Sequence, residues 1–518
     1  MLLRSLVARA LLWSCLLFGP ALLLMPTLAG GAPAPIAGPT VTIADGVLAG
    51  RASPDGAVQT FMGIPYATPP LGPLRWRPPQ PAIPWTGVRD ATRAGPACMQ
   101  VSRPGVAAVP SEDCLSLNVW APHRPGLSTG APGLPVMVFI HGGGFVFGSG
   151  SEPVYDGDRL ARHGVVLVTL NYRLGVFGFL AHPGLTREGG GVSGNYGLLD
   201  QIQALRWVQT NIARFGGDPR RVTLFGESAG GTSVAMLLAS PMTNGLFGQA
   251  ILESPALGWR FVTLAEAEQT GLAIGSDIAA LRRAPAASLL AANITIQRLA
   301  PRMAPVPLPF PIVDGQVLPE QPGLLLTEPG ARRMPIIIGD VADEGLGFAG
   351  RWASLPPADY PQRLAQLFGA RAAQAASIYP AHDPASVLRA GADIIGDGVF
   401  YEGARMIGRA AAARDPRTYR YLFTEPVQGH PPTHANEIPC VFGTLGPAAS
   451  APDRQMAEVM MSAWTRFAGT GDPNGGTLPD WPRTGPTDRY LELGQPIQSS
   501  AGFRAVPLDF MQGVLNGS

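Results

Sequence analysis

Lysine is absent from all 518 residues, so arginine supplies every basic side chain other than histidine. Without a lysine amine the chain cannot form a pyridoxal Schiff base, use a serine–lysine mechanism or build a phosphate-binding P-loop. The 38 basic and 37 acidic side chains leave a formal net charge of +1 at pH 7. This balance predicts no nucleic-acid partner.

Cysteine is scarce: the chain has Cys15, Cys98, Cys114 and Cys440. None of them has the Cys-x-x-Cys or Cys/His spacing of a zinc site, so we predict no metal. Cys98 and Cys114 enclose a short polar segment. In an exported protein these two residues are expected to form a disulfide, and the alternative is a pair of unlinked buried thiols.

The N-terminus has the pattern of a secretory signal. Arg4 and Arg9 precede an uncharged apolar run over residues 10–25, and small residues surround Ala29. We therefore predict a signal peptide over residues 1–29 and a Pro/Gly/Ala-rich linker over residues 30–39. The predicted location is secreted or periplasmic, with no stable membrane partner after cleavage. A retained membrane anchor is the alternative, because the run is near the minimum spanning length.

The motif that organises the rest of the chain is Gly226-Glu227-Ser228-Ala229-Gly230. An apolar run over residues 222–225 precedes it and a helix-like run over residues 232–238 follows it. This is the Gly-x-Ser-x-Gly pattern of a nucleophile elbow, in which a strained strand-to-helix turn exposes the serine hydroxyl. The small residues keep side chains out of the crowded bend.

A second glycine-rich motif follows another buried strand. The continuous apolar run 135–140 leads directly into His141-Gly142-Gly143-Gly144-Phe145. Adjacent glycines let the backbone approach a ligand and direct N–H groups at it, as an oxyanion hole requires. A flexible turn without function is the alternative.

Apolar runs and helix-like segments alternate along the chain. We predict strands over residues 41–48, 135–140, 165–170, 222–225, 249–252, 335–338 and 419–423, and a helix over residues 195–215. This alternation predicts the α/β class, with a mostly parallel twisted sheet that carries helices on both faces.

Ser228 needs a base to remove its proton, and in the absence of lysine that base is histidine. An elbow serine is followed along the chain by the acid and then by the histidine, which leaves His382, His430 and His434 as candidates. The loop after the predicted strand 419–423 contains both His430 and His434. The pattern favours His434, whereas His382 fits an ordinary surface histidine.

The acid is expected in a loop at the end of another strand. Asp340, Asp343 and Glu344 all follow the predicted strand 335–338. Such a carboxylate orients the imidazole and stabilises its charged form. Spacing alone does not choose among the three.

These motifs resemble the type-B carboxylesterase/cholinesterase family of α/β-hydrolases. The matching blocks occur in family order and span nearly the whole mature chain. They comprise residues 61–67, 112–115, 141–145, 171–173, 194–201, 215–219, 226–230, 343–345, 434–443 and 464–474. The resemblance implies the α/β-hydrolase fold in a single domain over residues 40–518, although the length alone suggests about three domains.

The resemblance also implies a role for individual residues. The acid of the family falls on Glu344 and its histidine on His434. The oxyanion hole falls on the backbone N–H groups of Gly143, Gly144 and Ala229.

The resemblance also implies a disulfide and two supporting residues in addition to the catalytic triad. The first disulfide of the family falls on Cys98 and Cys114. Glu227 and Ser254 fall on residues that support the site.

The predicted protein is a secreted serine carboxylesterase that hydrolyses small-molecule esters through an acyl-enzyme, without a cofactor. Lipase, thioesterase or amidase activity with the same triad is the alternative. Binding proteins that use this fold without catalysis lose the nucleophile, whereas Ser228 is present. The segment between Cys98 and Cys114 contains no tryptophan, which disfavours choline esters because cholinesterases carry a choline-stacking tryptophan there.

Overall fold

A computed structural model describes residues 38–101, 109–124, 132–258, 260–299, 310–476 and 478–515, and within 293–299 it describes the backbone alone. The predicted signal peptide and nearly all of the predicted linker lie outside these residues. None of the helices within the described ranges combines the length and the hydropathy of a membrane span.

The described residues form fourteen strands: β1 (Thr40–Ile43), β2 (Gly46–Ala49), β3 (Arg51–Ala52), β4 (Val58–Pro65), β5 (Val88–Asp90), β6 (Ser116–Pro122), β7 (Leu134–Ile140), β8 (Val166–Leu170), β9 (Gly217–Glu227), β10 (Gln249–Glu253), β11 (Ile336–Val341), β12 (Thr418–Phe423), β13 (Arg489–Leu493) and β14 (Gln498–Ala501).

They also form seventeen α-helices: α1 (Asp158–Arg162), α2 (Gly175–Phe179), α3 (Pro183–Glu188), α4 (Tyr196–Asn211), α5 (Ala229–Ala239), α6 (Leu264–Leu272), α7 (Ile278–Arg283), α8 (Ala286–Leu299), α9 (Pro322–Thr327), α10 (Gly350–Ala353), α11 (Tyr360–Phe368), α12 (Ala372–Ile378), α13 (Pro384–Ile395), α14 (Glu402–Arg414), α15 (Ile438–Phe442), α16 (Ala451–Thr470) and α17 (Ala505–Leu515).

Eleven strands form one sheet in the order β14-β13-β12-β11-β10-β9-β7-β8-β6-β4-β3. The consecutive strands from β13 to β8 in this order are all parallel, and the strands at the two edges are antiparallel. Strands β1, β2 and β5 form a separate small sheet. The α/β class and the mostly parallel sheet are confirmed.

Strand β7 shows why the central strands are continuously apolar. Val136, Val138 and Ile140 pack in one core cluster with residues of α4 and α5, whereas Met137 and Phe139 pack in another with residues of α15 and α16. Because side chains alternate between the two faces of a strand, both faces of β7 are covered by helices.

The single strand predicted over residues 41–48 is wrong. Strands β1 and β2 form a hairpin in which Ile43 pairs with Gly46, so the chain reverses over Ala44 and Asp45. Side chains alternate along one long strand and along a hairpin alike, so alternation could not separate them. The Asp45-Gly46 dipeptide is a turn signal that overlaps the observed turn by one residue.

The parallel arrangement determines where the site lies. Strands β7, β9, β11 and β12 run in the same direction, so their carboxyl ends all lie on one side of the sheet. The segments that follow these four strands contain the glycine motif, Ser228, Glu344 and His434.

Candidate active site

Ser228 lies between the last residue of β9 and the first residue of α5. Its φ of 57° and ψ of −121° are unfavourable for a residue with a side chain. The backbone is fixed on both sides: the Ser228 N–H donates to the Glu253 carbonyl at 2.9 Å, and its carbonyl accepts from the Thr232 N–H at 2.8 Å. The predicted elbow geometry is present.

Gly226 and Gly230 flank the serine where the backbone of β7 comes very close. A Cβ on Gly230 would lie 1.9 Å from the Ile140 carbonyl oxygen, and a Cβ on Gly226 would lie 2.7 Å from the same atom. Neither position has room for a side chain. The two glycines therefore allow the elbow to sit directly against the end of β7.

The glycine loop after β7 packs on the elbow. A Cβ on Gly142 would lie 3.2 Å from the Ser228 Cβ. The next two glycines have φ values of 97° (Gly143) and 57° (Gly144), a region that favours glycine. Ala229 is the first residue of α5, where N–H groups have no acceptor within the helix. The three predicted oxyanion-hole residues thus belong to two backbone segments next to Ser228.

Glu344 and His434 are brought together by neighbouring loops. The loops that follow β11 and β12 pair through a bridge between Asp343 and Thr433. As a result, Nδ1 of His434 lies 2.5 Å from Oε2 of Glu344. The other carboxylate oxygen of Glu344 accepts from the Val341 N–H at 2.9 Å, and Glu344 is completely buried.

The other acids and histidines have different surroundings. Asp343 pairs with Arg389 at 2.5 Å, and Asp340 lies 3.5 Å from Arg420. His430 and His382 are exposed to solvent. Of the candidates that spacing left open, the geometry joins Glu344 with His434.

The remaining nitrogen of His434 faces the elbow. Its Nε2 lies 3.2 Å from Oε1 of Glu227, the residue before Ser228. The ring centroids of Phe348 and Phe400 lie 5.1 Å and 4.8 Å from that of the imidazole. Burial lowers the pKa of His434, but the carboxylates of Glu227 and Glu344 outweigh burial and raise this pKa above its ordinary value.

Near Glu227 lies a group of buried carboxyl groups that the sequence did not predict. Glu253 accepts from the Trp464 indole N–H at 2.6 Å, and Glu437 is fully buried. Burial raises the pKa of Glu253 to about 8 and the pKa of Glu437 well above its usual range. Ser254 is also fully buried, and within the described ranges its hydroxyl has no hydrogen-bond partner. The sequence signal for Glu253 is an acid at the end of a strongly apolar strand.

Cys98 and Cys114 form the predicted disulfide, and both residues are buried. Cys440 is a buried free thiol. Among the residues that the structure describes, no group of three or more histidine, cysteine, aspartate or glutamate side chains could hold a metal ion.

Comparison with known proteins extends these observations to the family level. Residues 37–511 match the sequence profile of the Carboxylesterase family. The chain is 43% identical to the fumonisin B1 esterase of Sphingopyxis macrogoltabida over 472 residues, which cover 88% of this chain and 86% of that protein. It is 35% identical to the phenmedipham hydrolase of Pseudarthrobacter oxydans, over 83% of this chain and 90% of that protein.

The para-nitrobenzyl esterase of Bacillus subtilis (strain 168) is 38% identical over 83% of this chain and 90% of that protein. A solved structure titled PNB esterase superposes with a TM-score of 0.80 at 36% identity and covers 91% of this chain and 99% of its own. The matches by sequence and the match by structure each cover most of this chain. The chain therefore belongs to the carboxylesterase family, has the α/β-hydrolase fold and is a carboxylic ester hydrolase.

Proposed function

We propose that Ser228, His434 and Glu344 form the catalytic triad of this hydrolase. The observation that carries the proposal is the 2.5 Å contact between His434 and Glu344, made by an imidazole whose other nitrogen faces the elbow. A carboxylate on Nδ1 sets the tautomer that leaves Nε2 free to accept a proton.

In the proposed reaction the Ser228 Oγ attacks the ester carbonyl carbon while Nε2 of His434 takes the hydroxyl proton. The backbone N–H groups of Gly143, Gly144 and Ala229 stabilise the resulting oxyanion. The intermediate then breaks its bond to the alcohol oxygen, which receives the proton from His434, and an acyl-enzyme remains. Water attacks this ester while His434 takes its proton, the bond between the acyl carbon and the Ser228 Oγ breaks, Oγ receives the proton from His434, and the acid leaves.

Glu227 and Ser254 are proposed to support this site without touching the substrate. Glu227 stabilises the imidazolium electrostatically because its carboxylate lies 3.2 Å from Nε2. Ser254 follows Glu253 at the end of β10, and its N–H donates to the Gly339 carbonyl at 2.8 Å. This bond links the loop after β10 to β11.

The substrate is proposed to be a small-molecule carboxylic ester. The names of the relatives refer to fumonisin B1, phenmedipham and para-nitrobenzyl esters, so members of this family act on dissimilar compounds. A panel of p-nitrophenyl esters of increasing acyl length, with matched amides and thioesters, separates ester hydrolysis from the alternative activities of the same triad.

Export is proposed from residues 1–29, which have the charge and apolar pattern of a signal peptide. The mature chain would then be a single hydrolase domain over residues 40–518. N-terminal sequencing of the protein from culture medium and periplasm is expected to begin at Gly30. A protein recovered intact with residue 1 in the membrane fraction would refute export with cleavage.

The triad is tested by Ser228→Ala. We expect kcat for p-nitrophenyl acetate to fall by roughly 10⁶-fold, as nucleophile removal does in serine hydrolases. Circular dichroism and the thermal midpoint are the controls for folding. An organophosphate is expected to label Ser228 in the unsubstituted protein, and mass spectrometry identifies the modified residue. Retained turnover in the variant would refute the assignment.

A further inference from the structure

The side chain of Gln100 forms a two-way hydrogen-bonded pair with the backbone of Gly148. Its Oε1 accepts from the Gly148 N–H at 3.0 Å, and its Nε2 donates to the Gly148 carbonyl at 2.9 Å. The same Nε2 donates to the Cys98 carbonyl at 3.0 Å. Gln100 is 3% exposed, so these bonds are shielded from water. The amide thereby fixes the peptide planes on both sides of Gly148.

Gly148 ends the loop that contains the proposed oxyanion-hole glycines. The Gly143 carbonyl accepts from the N–H groups of Val146 and Phe147, each at 3.1 Å. In a planar trans peptide the carbonyl and the following N–H point in opposite directions. The Gly144 N–H is therefore directed away from Val146 and Phe147. The direction of this donor depends on the turn closed between Gly143 and Phe147, the residue directly before Gly148.

Gly148 also contacts the base of the same loop. A Cβ at Gly148 would lie 2.4 Å from Nδ1 of His141, so the two residues are tightly apposed. The His141 ring stacks on Tyr172 with ring centroids 4.5 Å apart, and the Tyr172 hydroxyl donates to the His141 carbonyl at 3.1 Å. One end of the loop is thus anchored at His141, and the other end is anchored at Gly148 by Gln100.

The disulfide fixes Gln100 itself. Gln100 is two residues beyond Cys98, and the partner cysteine, Cys114, is two residues before the start of strand β6 (Ser116–Pro122). The covalent link therefore connects the segment that carries Gln100 to the central sheet. A shift of this segment would break both hydrogen bonds to Gly148.

We propose that Gln100 is a positioning residue for the oxyanion hole, acting through Gly148, and that the Cys98–Cys114 disulfide braces it. This inference rests on the proposed function, because it assumes that Gly143 and Gly144 supply oxyanion donors. Gln100 touches neither the substrate nor the reacting atoms. It stabilises the transition state by keeping the donors in place before the substrate arrives.

The test is Gln100→Met, which keeps the length of the side chain and removes all three hydrogen bonds. The matched control is Gln209→Met. The Gln209 amide also joins two backbone segments, donating to the carbonyls of Pro219 and Leu246 at 2.8 Å and 2.9 Å. Pro219 lies roughly 25 Å from the elbow along β9, at about 3.3 Å per residue.

For Gln100→Met we expect kcat for p-nitrophenyl acetate to fall by about 10- to 100-fold with KM nearly unchanged, less than the ~10²–10³ for removal of a whole donor. Affinity for an alkyl trifluoromethyl ketone, which forms a tetrahedral adduct with the nucleophile, is expected to fall by a similar factor. Gln209→Met is expected to lower the thermal midpoint comparably and to leave kcat and inhibitor affinity unchanged. Equal kcat in the two variants would overturn the proposal.

If Gln100→Met does not fold, Gln100→Asn provides the same comparison, because the shorter amide cannot reach both backbone atoms of Gly148. Ser228→Ala in the same assay distinguishes failure of the proposed triad from failure of the proposed role of Gln100. Activity in Ser228→Ala refutes the proposed triad. An inactive Ser228→Ala together with normal kcat and inhibitor affinity in both Gln100 variants refutes the role of Gln100 alone.

Discussion

Nδ1 of His434 lies 2.5 Å from Oε2 of Glu344, although 90 positions of sequence separate the two residues. The contact arises because β11 and β12 are adjacent parallel strands, so the loops that follow them leave the sheet side by side. The bridge between Asp343 and Thr433 then sets their register. Both residues lie next to the elbow because the carboxyl end of β9 is on the same side of the sheet as the carboxyl ends of β11 and β12.

Substitution of the two histidines in the loop after β12 is expected to give opposite results. His434→Ala removes the proposed base and is expected to lower kcat by on the order of 10⁶-fold. His430→Ala changes an exposed side chain and should leave kcat close to that of the unsubstituted protein. Steady-state hydrolysis of p-nitrophenyl butyrate measures both. The reverse outcome would assign the base to His430.

Glu227→Gln is expected to shift the pH dependence of kcat/KM. The Glu227 carboxylate helps to raise the pKa of His434, and the base works only when the imidazole is neutral. Activity therefore rises as the pH increases through this pKa. Without the negative charge the imidazolium is less stable and the pKa falls, so the acidic limb of the profile moves to lower pH.

The control for this shift is Glu328→Gln, which neutralises an exposed glutamate in the segment after α9. Its profile is expected to match that of the unsubstituted protein. An acidic limb that stays in place in Glu227→Gln would show that Glu227 does not act on the pKa of the base.

Gly230→Ala is expected to destabilise the fold, because the new methyl group would lie 1.9 Å from the Ile140 carbonyl oxygen. Backbone cannot move aside as a flexible side chain can, and the expected decrease in the free energy of unfolding is ~3 kcal/mol. Urea denaturation followed by tryptophan fluorescence measures it. Gly248→Ala is the control, since no heavy atom of the described residues would lie within 4 Å of its new methyl group. Equal stability of the two variants would contradict the close contact.

Removal of the disulfide by Cys98→Ser together with Cys114→Ser is expected to lower the free energy of unfolding by ~3 kcal/mol, the loop-closure value for a sequence separation of 16. Urea denaturation with dithiothreitol should lower the stability of the unsubstituted protein by a similar amount. The same reagent should have no effect on the double variant. A stability of the unsubstituted protein that does not depend on reductant would refute the contribution of the disulfide.

Much of the fold was predictable because its signals are local. Strand β7 is apolar on both faces, and the helix predicted over residues 195–215 is present as α4 followed by a short 3₁₀ turn over Ile212–Phe215. Gly216 ends this segment with a φ of 82°. The hairpin of β1 and β2 was missed because alternation does not reveal where a strand reverses.

The linear sequence was sufficient for the elbow, the glycine loop and the class of sheet, because each depends on neighbouring residues and on the steric limits of glycine. The sequence did not decide which of three acidic residues is the catalytic acid or which of two histidines is the base, since the distance between Glu344 and His434 depends on which strands are adjacent. It gave no indication that Gln100 contacts Gly148 or that Glu253 accepts a hydrogen bond from Trp464. These contacts join residues far apart in the chain. They form only when folding brings together the loops at the carboxyl ends of the strands.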